Sequence, residues 1–182
     1  MQKESQNSYY VPAEDSIFLA DYLENQKGKS ALDIGTGSGI LAKVLSKNFE
    51  LVVATDINIF ALKKAHEIVD NCICCNAADA LQISFDLIVC NLPYLPSAEL
   101  LDRTVDGLRD GIEIPSMIIK SASQRIAKNG KMIFLTSSHA NYDFLIKLCK
   151  SLGFDVKMVA KKKLFYEELL LVECVRILHK ES

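Results

Sequence analysis

"ALDIGTGSGI", residues 31–40, decides how the rest of the chain is read. An apolar run ends in an acid, Asp33, and glycines follow at 35, 37 and 39. The run reads as a short buried strand over 30–35. "SGILAKVLSKN" (38–48) reads as a helix with Ile40, Leu41, Val44 and Leu45 on one face. In an open sheet built from strand–turn–helix units, ligands sit beyond the carboxyl ends of the strands, where the strand order reverses. Glycines in such a turn let a ligand approach the backbone without meeting a Cβ, and the start of the next helix offers unpaired N–H groups.

The alternation continues along the chain. "LVVATD" (51–56) is a β-branched run, "NIFALKKAHEIVDN" (58–71) has helical spacing through Ile59, Leu62, Ala65, His66 and Val69, and "CICCNA" (72–77) is a weaker third strand. "FDLIVCN" (85–91) is a fourth strand. The spacing predicts a helix over 116–130 closed by Gly130, a strand over 131–138, and a helix over 141–153 stopped by Gly153. "FDVKMVA" and "ELLLVECVRI", joined through 161–167, form an antiparallel hairpin. Only "DALQIS" separates the third and fourth strands, too little for a crossover helix. Buried runs alternating with helices predict an α/β fold, a mainly parallel sheet with helices on both faces. No boundary splits it, so 1–182 reads as a single domain, with 1–28 as lead-in and first helix.

At 182 residues, 49% apolar and 24% charged, the chain has the balance of a globular protein with a substantial core. A net charge of −2 counts against a broad cationic surface for duplex nucleic acid. Lys161–Lys163 is the one cationic run and reads as a solvated hairpin flank. No apolar run is long enough to span a membrane. "MQKESQNSYY" lacks the core of a signal peptide, so a cytoplasmic location is expected, with thiols rather than disulfides. Cys72, Cys74 and Cys75 lack the spacing of a metal site and read as small buried hydrophobes; no metal is expected.

The turn is not the dinucleotide fingerprint, whose third glycine comes one residue later. Asp33 would repel a pyrophosphate and suits a ligand carrying a cation, such as an ammonium group. Asp56, ending the second strand, can accept from both hydroxyls of a ribose. Asp79, ending the third, can read an adenine edge. Ribose, adenine and an ammonium-bearing tail together describe S-adenosylmethionine (SAM).

With these residues in place, "LDIGTGSG" (32–39) is similar to the glycine motif of class I SAM-dependent methyltransferases. "NLPY" (91–94) resembles the N-P-P-Y motif of those that methylate planar nitrogens. "YVPAEDSIFL" (10–19) and "DGLRDGIEI" (106–114) resemble the short archaeal/eukaryotic branch of the HemK/PrmC-type release-factor glutamine methyltransferases. No extra helical domain is expected ahead of these motifs, as the resemblance to that branch implies. The resemblance implies a Rossmann-like, seven-stranded sheet of order 3-2-1-4-5-7-6 with the last strand antiparallel. It implies SAM as cofactor, held by Ser16, Asp33, Gly35, Gly37, Gly39, Asp56, Ile57, Asp79, Ala80 and Asn91, with Ser16 at the SAM carboxylate. Asn91, Leu92, Pro93 and Tyr94 are the implied catalytic set: the Asn91 side-chain oxygen and the Leu92 carbonyl accept the two N–H bonds of a planar amide, Pro93 stiffens the turn, and Tyr94 stacks on the acceptor.

The implied acceptor is the glutamine of the G-G-Q loop of a class-one translation release factor. The competing readings are an exocyclic amine of adenine or guanine in nucleic acid, and a SAM-binding protein of low activity. Leu92 stands where proline is usual, which predicts a looser loop with an added N–H donor, and a tryptophan common before the G-x-D-G stretch is missing. "PAEDS" also reads as the start of a helix opened by Pro12, with Ile17, Leu19, Ala20 and Leu23 on its core face. The apolar third strand at the sheet edge calls for cover, and the resemblance implies a small zinc-binding activator protein there, with self-association as the alternative.

Overall fold

The computed structural model describes residues 14–93 and 112–177. The order of elements is α1 (Glu14–Leu23), β1 (Gly28–Ile34), α2 (Ile40–Leu45), β2 (Phe49–Asp56), α3 (Ile59–Ala65), β3 (Asn71–Cys74), β4 (Phe85–Asn91), α4 (Glu113–Ser123), β5 (Ile126–Ser137), α5 (Tyr142–Ser151), β6 (Phe154–Lys163) and β7 (Glu168–Arg176). The strands form one sheet of order β3-β2-β1-β4-β5-β7-β6. β1 to β5 run parallel, and β7 is antiparallel to both of its neighbours. The order matches the one expected.

The chain leaves β1 toward β3 and returns to β4 on the other side of β1, so the order reverses between β1 and β4. The register Ile34↔Cys90 puts the residues after Ile34 beside the end of β4. Alternation along β1 sends Leu32 and Ile34 into one apolar layer, shared with Ile119 of α4 and Leu145 of α5. Ala31 faces the other, shared with Leu19 and Leu23 of α1 and Leu41 and Leu45 of α2. Both faces are therefore covered, as the near-continuous apolar strands require. Below the sheet's working end, Asp86 locks β4 to β1: its Oδ2 accepts from the N–H groups of Lys29 (2.8 Å) and Ser30 (3.0 Å). No helix among the described residues is long and apolar enough to cross a membrane.

Several expectations give way. Helix α4 ends at Ser123, seven residues before Gly130, because Arg125 already serves the sheet: its carbonyl accepts from Phe85 N–H at 2.8 Å. Gly130 lies inside β5, opposite the register shift between Phe85 and Leu87 of β4, which pair with Ile126 and Lys131. A Cβ there would stand 2.6 Å from the Phe85 carbonyl oxygen. Its glycine therefore answers to a close backbone approach and not to a helix stop. On α1 the core face is Ser16, Leu19, Ala20 and Leu23, at i, i+3, i+4 and i+7, while Ile17 is 47% exposed. Cys72 and Cys75 are half-buried and Cys74 is exposed, because β3 is a short edge strand that, among the described residues, pairs with β2 alone; the buried thiols are Cys90, Cys149 and Cys174. Pro12, Tyr94 and residues 106–111 lie outside the described residues.

Gly130→Ala must push the β4 backbone aside. It is expected to lower stability by about 1–3 kcal/mol, read as a lowered midpoint in urea unfolding with an unchanged slope. Loss of less than a few tenths of a kcal/mol would show that the approach is not a constraint.

Candidate active site

The turn after β1 takes its shape from three left-handed glycines, Gly35 (φ 70°), Gly37 (φ 55°) and Gly39 (φ 83°), conformations that disfavour residues with a Cβ. The N–H groups of Gly35 and Thr36 donate to Thr55 O at 2.8 and 3.0 Å, hanging the turn from β2. Asp33, fully buried, closes it from beneath: Oδ2 accepts from Thr36 Oγ1 at 2.7 Å and from Ala42 N–H, in the first turn of α2, at 3.0 Å. Its Oδ1 is buried without a partner. Burial pushes the Asp33 carboxyl up to about 6; the Thr36 and Ala42 bonds pull the other way, and the nearby Asp56 charge adds to the rise.

One cavity of about 380 Å³ brings the central features together. Gly35, Thr36, Gly37 and Ser38 form one wall, Asp15 and Ser16 of α1 a second, and Asn91, Leu92 and Pro93 a third. A Cβ at Gly35 or Gly37 would meet nothing within 4 Å, so the turn faces open space. Asn91 ends β4, its Nδ2 donating to Ser16 Oγ at 3.4 Å while its Oδ1 is buried and unpaired. Asp56 ends β2, accepting from Gly37 N–H (3.0 Å) and Asn58 N–H (2.8 Å), one on each oxygen. Each oxygen keeps a second lone pair for a hydroxyl. Ile57, the next residue, is 75% exposed, an apolar platform beside that acid. An open glycine cradle, an acid with spare acceptor capacity, an adjacent apolar platform and an unpaired amide oxygen fit an adenosyl cofactor.

Other expected site residues lie elsewhere. Asp33 sits beneath the turn and does not line the cavity. The carboxylate on the wall is Asp15, which the sequence reading passed over although it adjoins Ser16. Gly39 faces α3, where a Cβ would be 3.1 Å from Ala65 Cα, so the early third glycine lets two helices approach. Asp79 is exposed, and its oxygens accept from Asn76 Nδ2 (3.0 Å) and Ser121 Oγ (2.5 Å). It borders a second recess with Met117 and Ser121 of α4. Ala80 is exposed on the same turn. Thr36 and Ser121 were missed; Thr36 stood inside the quoted motif, whereas nothing local marks Ser121.

Leu92 differs from its expected role. Its N–H donates to Leu135 O at 3.1 Å, extending the β4–β5 pairing by one bond, and its side chain is 1% exposed in the core. The residue that replaces proline therefore anchors the loop where a looser one was expected.

This strand order, with a glycine turn at the reversal point and a polar residue ending β4 in the same cavity, defines a class I SAM-dependent methyltransferase. The chain belongs to the methyltransferase small domain family, whose profile matches residues 13–167. It is 34% identical, over 92% of each chain, to a Methanocaldococcus jannaschii protein provisionally named protein N5-glutamine methyltransferase. It is 33% identical to the release factor glutamine methyltransferase of Bradyrhizobium diazoefficiens, a match that covers 56% of this chain and 41% of that protein. Among solved structures, the E. cuniculi Mtq2–Trm112 complex, described as responsible for methylation of the eRF1 termination factor, superposes with a TM-score of 0.77 at 24% identity, covering 93% of this chain and 99% of that one. The cofactor is SAM.

Two outcomes follow from this geometry. Because the folded-state pKa of Asp33 lies above its unfolded value, the native state binds its proton more tightly. The Asp33 contribution is therefore most favourable at low pH, falls between about pH 4 and 6, and is level above that. The stability difference between wild type and Asp33→Asn should shift across that window by up to roughly 3 kcal/mol; a pH-independent difference refutes the assignment. Leu92→Pro, a change toward the common motif, removes the bond to Leu135 and a buried side chain. It should destabilise by about 2–4 kcal/mol in urea unfolding, and a neutral or stabilising result would contradict the anchoring role.

Proposed function

We propose that this chain transfers a methyl group from SAM to the side-chain amide nitrogen of a glutamine, in the G-G-Q loop of a class-one translation release factor. The observation that carries the reading is the buried, unpaired Oδ1 of Asn91, held in one cavity with the glycine turn. An unpaired buried acceptor is costly, and a ligand N–H would satisfy it. The names of the M. jannaschii and B. diazoefficiens relatives and the described activity of the Mtq2–Trm112 complex support the glutamine and the release factor.

An amide nitrogen is a poor nucleophile because its lone pair is delocalised into the carbonyl. SAM supplies a methyl group made electrophilic by its sulfonium. Asn91 Oδ1 accepts one amide N–H and the Leu92 carbonyl the other, which orients the nitrogen and stabilises the positive charge it gains. Ser16, by accepting from Nδ2, fixes which way the Asn91 amide faces. Asp15, on the cavity wall, is placed to take the ammonium end of the cofactor, with Asp33 shaping the turn from below. Asp56 and Ile57 hold the ribose and adenine; Asp79 and Ala80 are placed at the adenine edge on the resemblance alone, since the Asp79 oxygens accept from Asn76 and Ser121 beside the second recess. Tyr94, as the stacking residue, completes the set on the resemblance alone.

The free edge of β3, beside exposed Ile59 and Phe60 on α3, suits a small activator protein, of the zinc-binding kind that the resemblance implies. The reading takes 1–182 as one catalytic domain working in the cytoplasm.

Mass spectrometry of the cognate release factor after incubation with SAM should find one added methyl on the G-G-Q glutamine. Asn91→Ala should slow transfer by about a hundredfold or more. Ser16→Ala should lower kcat about tenfold by releasing the Asn91 amide, and should weaken SAM binding through the lost hydroxyl at the SAM carboxylate. Methylation of RNA or DNA in place of the release factor, or equal transfer by Asn91→Ala, overturns the reading.

A further inference from the structure

The turn between β6 and β7 shows the solvent two aromatic side chains, Phe165 (88% exposed) and Tyr166 (84%). Leaving such rings in water is unfavourable, and their display here is not slack. Leu164 N–H closes the turn on Glu167 O at 2.8 Å, while the Leu164 side chain packs against the core. The loop after β5 clamps the turn from the side. Ser138 N–H donates to Glu168 O (2.9 Å), Glu168 N–H donates to Ser138 Oγ (3.0 Å), and His139 Nε2 lies 3.0 Å from Tyr166 O. The two rings meet edge to face, centroids 4.6 Å apart and planes at 74°. A bond across the turn and contacts from the main chain and side chains of the loop after β5 thus hold a pre-organised aromatic pair outward.

The register gives its place. Asn91 pairs with Leu135, and β5 runs two residues further to Ser137, which pairs with Leu169 at the start of β7; Lys163 of β6 pairs with Glu168. The tip therefore stands past the level of Asn91, on the sheet end where the cavity opens. At a strand spacing of about 4.8 Å it lies roughly 10–15 Å to the side. An acceptor group reaching Asn91 on a macromolecule brings the surface around it over this rim.

We infer that Phe165 and Tyr166 are a docking site for the folded protein substrate, gripping an apolar patch with an acidic margin beside the loop that carries the methylated glutamine. The inference rests on the proposed protein acceptor and adds where that acceptor is held. Exposed aromatics on a rigid support are the usual anchors of protein recognition, because they bury much area at little cost in ordering. The acidic margin follows from charge: Lys162 and Lys163 flank the tip, whereas Lys161 is paired to Glu168 at 3.3 Å. The same observations disfavour a nucleic-acid strand. Aromatics could stack on bases, but a pair of lysines is little cation for the phosphates of a strand, and the chain's net charge is −2.

The test compares wild type with Phe165→Ala/Tyr166→Ala, each purified with any edge partner retained. Three quantities are measured: SAM affinity, transfer to a short peptide of the glutamine loop, and transfer to the intact release factor. The expected result is unchanged SAM affinity and unchanged peptide kinetics, with KM for the intact factor raised about tenfold or more and kcat preserved. Lys162→Glu/Lys163→Glu should raise the same KM in a salt-dependent way. An unchanged KM for the intact factor overturns the inference while leaving the reaction standing. So does a defect confined to RNA binding, or an equal loss on peptide and protein. A wild type that methylates neither peptide nor factor refutes the reaction itself, and the docking site falls with it.

Discussion

The buried carboxylate of Asp33 is the constraint on which the site depends. Burying an acid is unfavourable unless its oxygens are bonded, and here two bonds to one oxygen tie the turn at Thr36 to the start of α2 at Ala42. Three left-handed residues in five would otherwise leave a pliable loop. With the carboxylate beneath, and Gly35 and Thr36 hung from Thr55 O, the turn becomes a fixed cradle. Its raised pKa reflects the cost of that placement.

The opposite wall depends on how β4 ends. In the family's usual motif proline stiffens the chain after the asparagine. Here the same position is held by a strand bond and by core packing, since Leu92 donates to Leu135 O and buries its side chain. Two chemical solutions thus serve one requirement, a carbonyl and an amide oxygen held still at the end of a strand. The Ser16–Asn91 bond adds a third support from α1, so the site is assembled from three separate parts of the chain. Pre-organisation of this kind suits an acceptor whose lone pair must be turned toward an electrophile.

Around the cavity the molecule presents two different surfaces. The β3 edge is short, uncharged and partly apolar, a place where another chain can add to the sheet. The β6–β7 tip is aromatic, tied to the loop after β5 and flanked by lysines, on the same sheet end as the cavity and to one side of Asn91. Five strands separate β3 from β6, so a partner on one need not obstruct a substrate on the other.

Most of the strand and helix alternation, the glycine turn and the acids Asp33 and Asp56 near the ends of β1 and β2 were legible from residue order, because periodicity and turn chemistry act over a few residues, although 126–130, expected as the end of a helix, are strand. The resemblance then supplied the strand order, which the structure reproduces. What residue order did not carry was which groups meet. Gly130 looked like a helix stop and proved to be a close crossing with Phe85, a contact 45 positions away in the chain. Asp33 looked like a cofactor ligand but lies under the turn, while Asp15 is on the wall; helix α1 turned Ser16 inward and Ile17 out. The CICC cysteines looked buried and lie on an open edge. In each case the side chain's surroundings come from strand register and helix rotation, which are settled by the packing of distant segments and leave no mark on the local sequence.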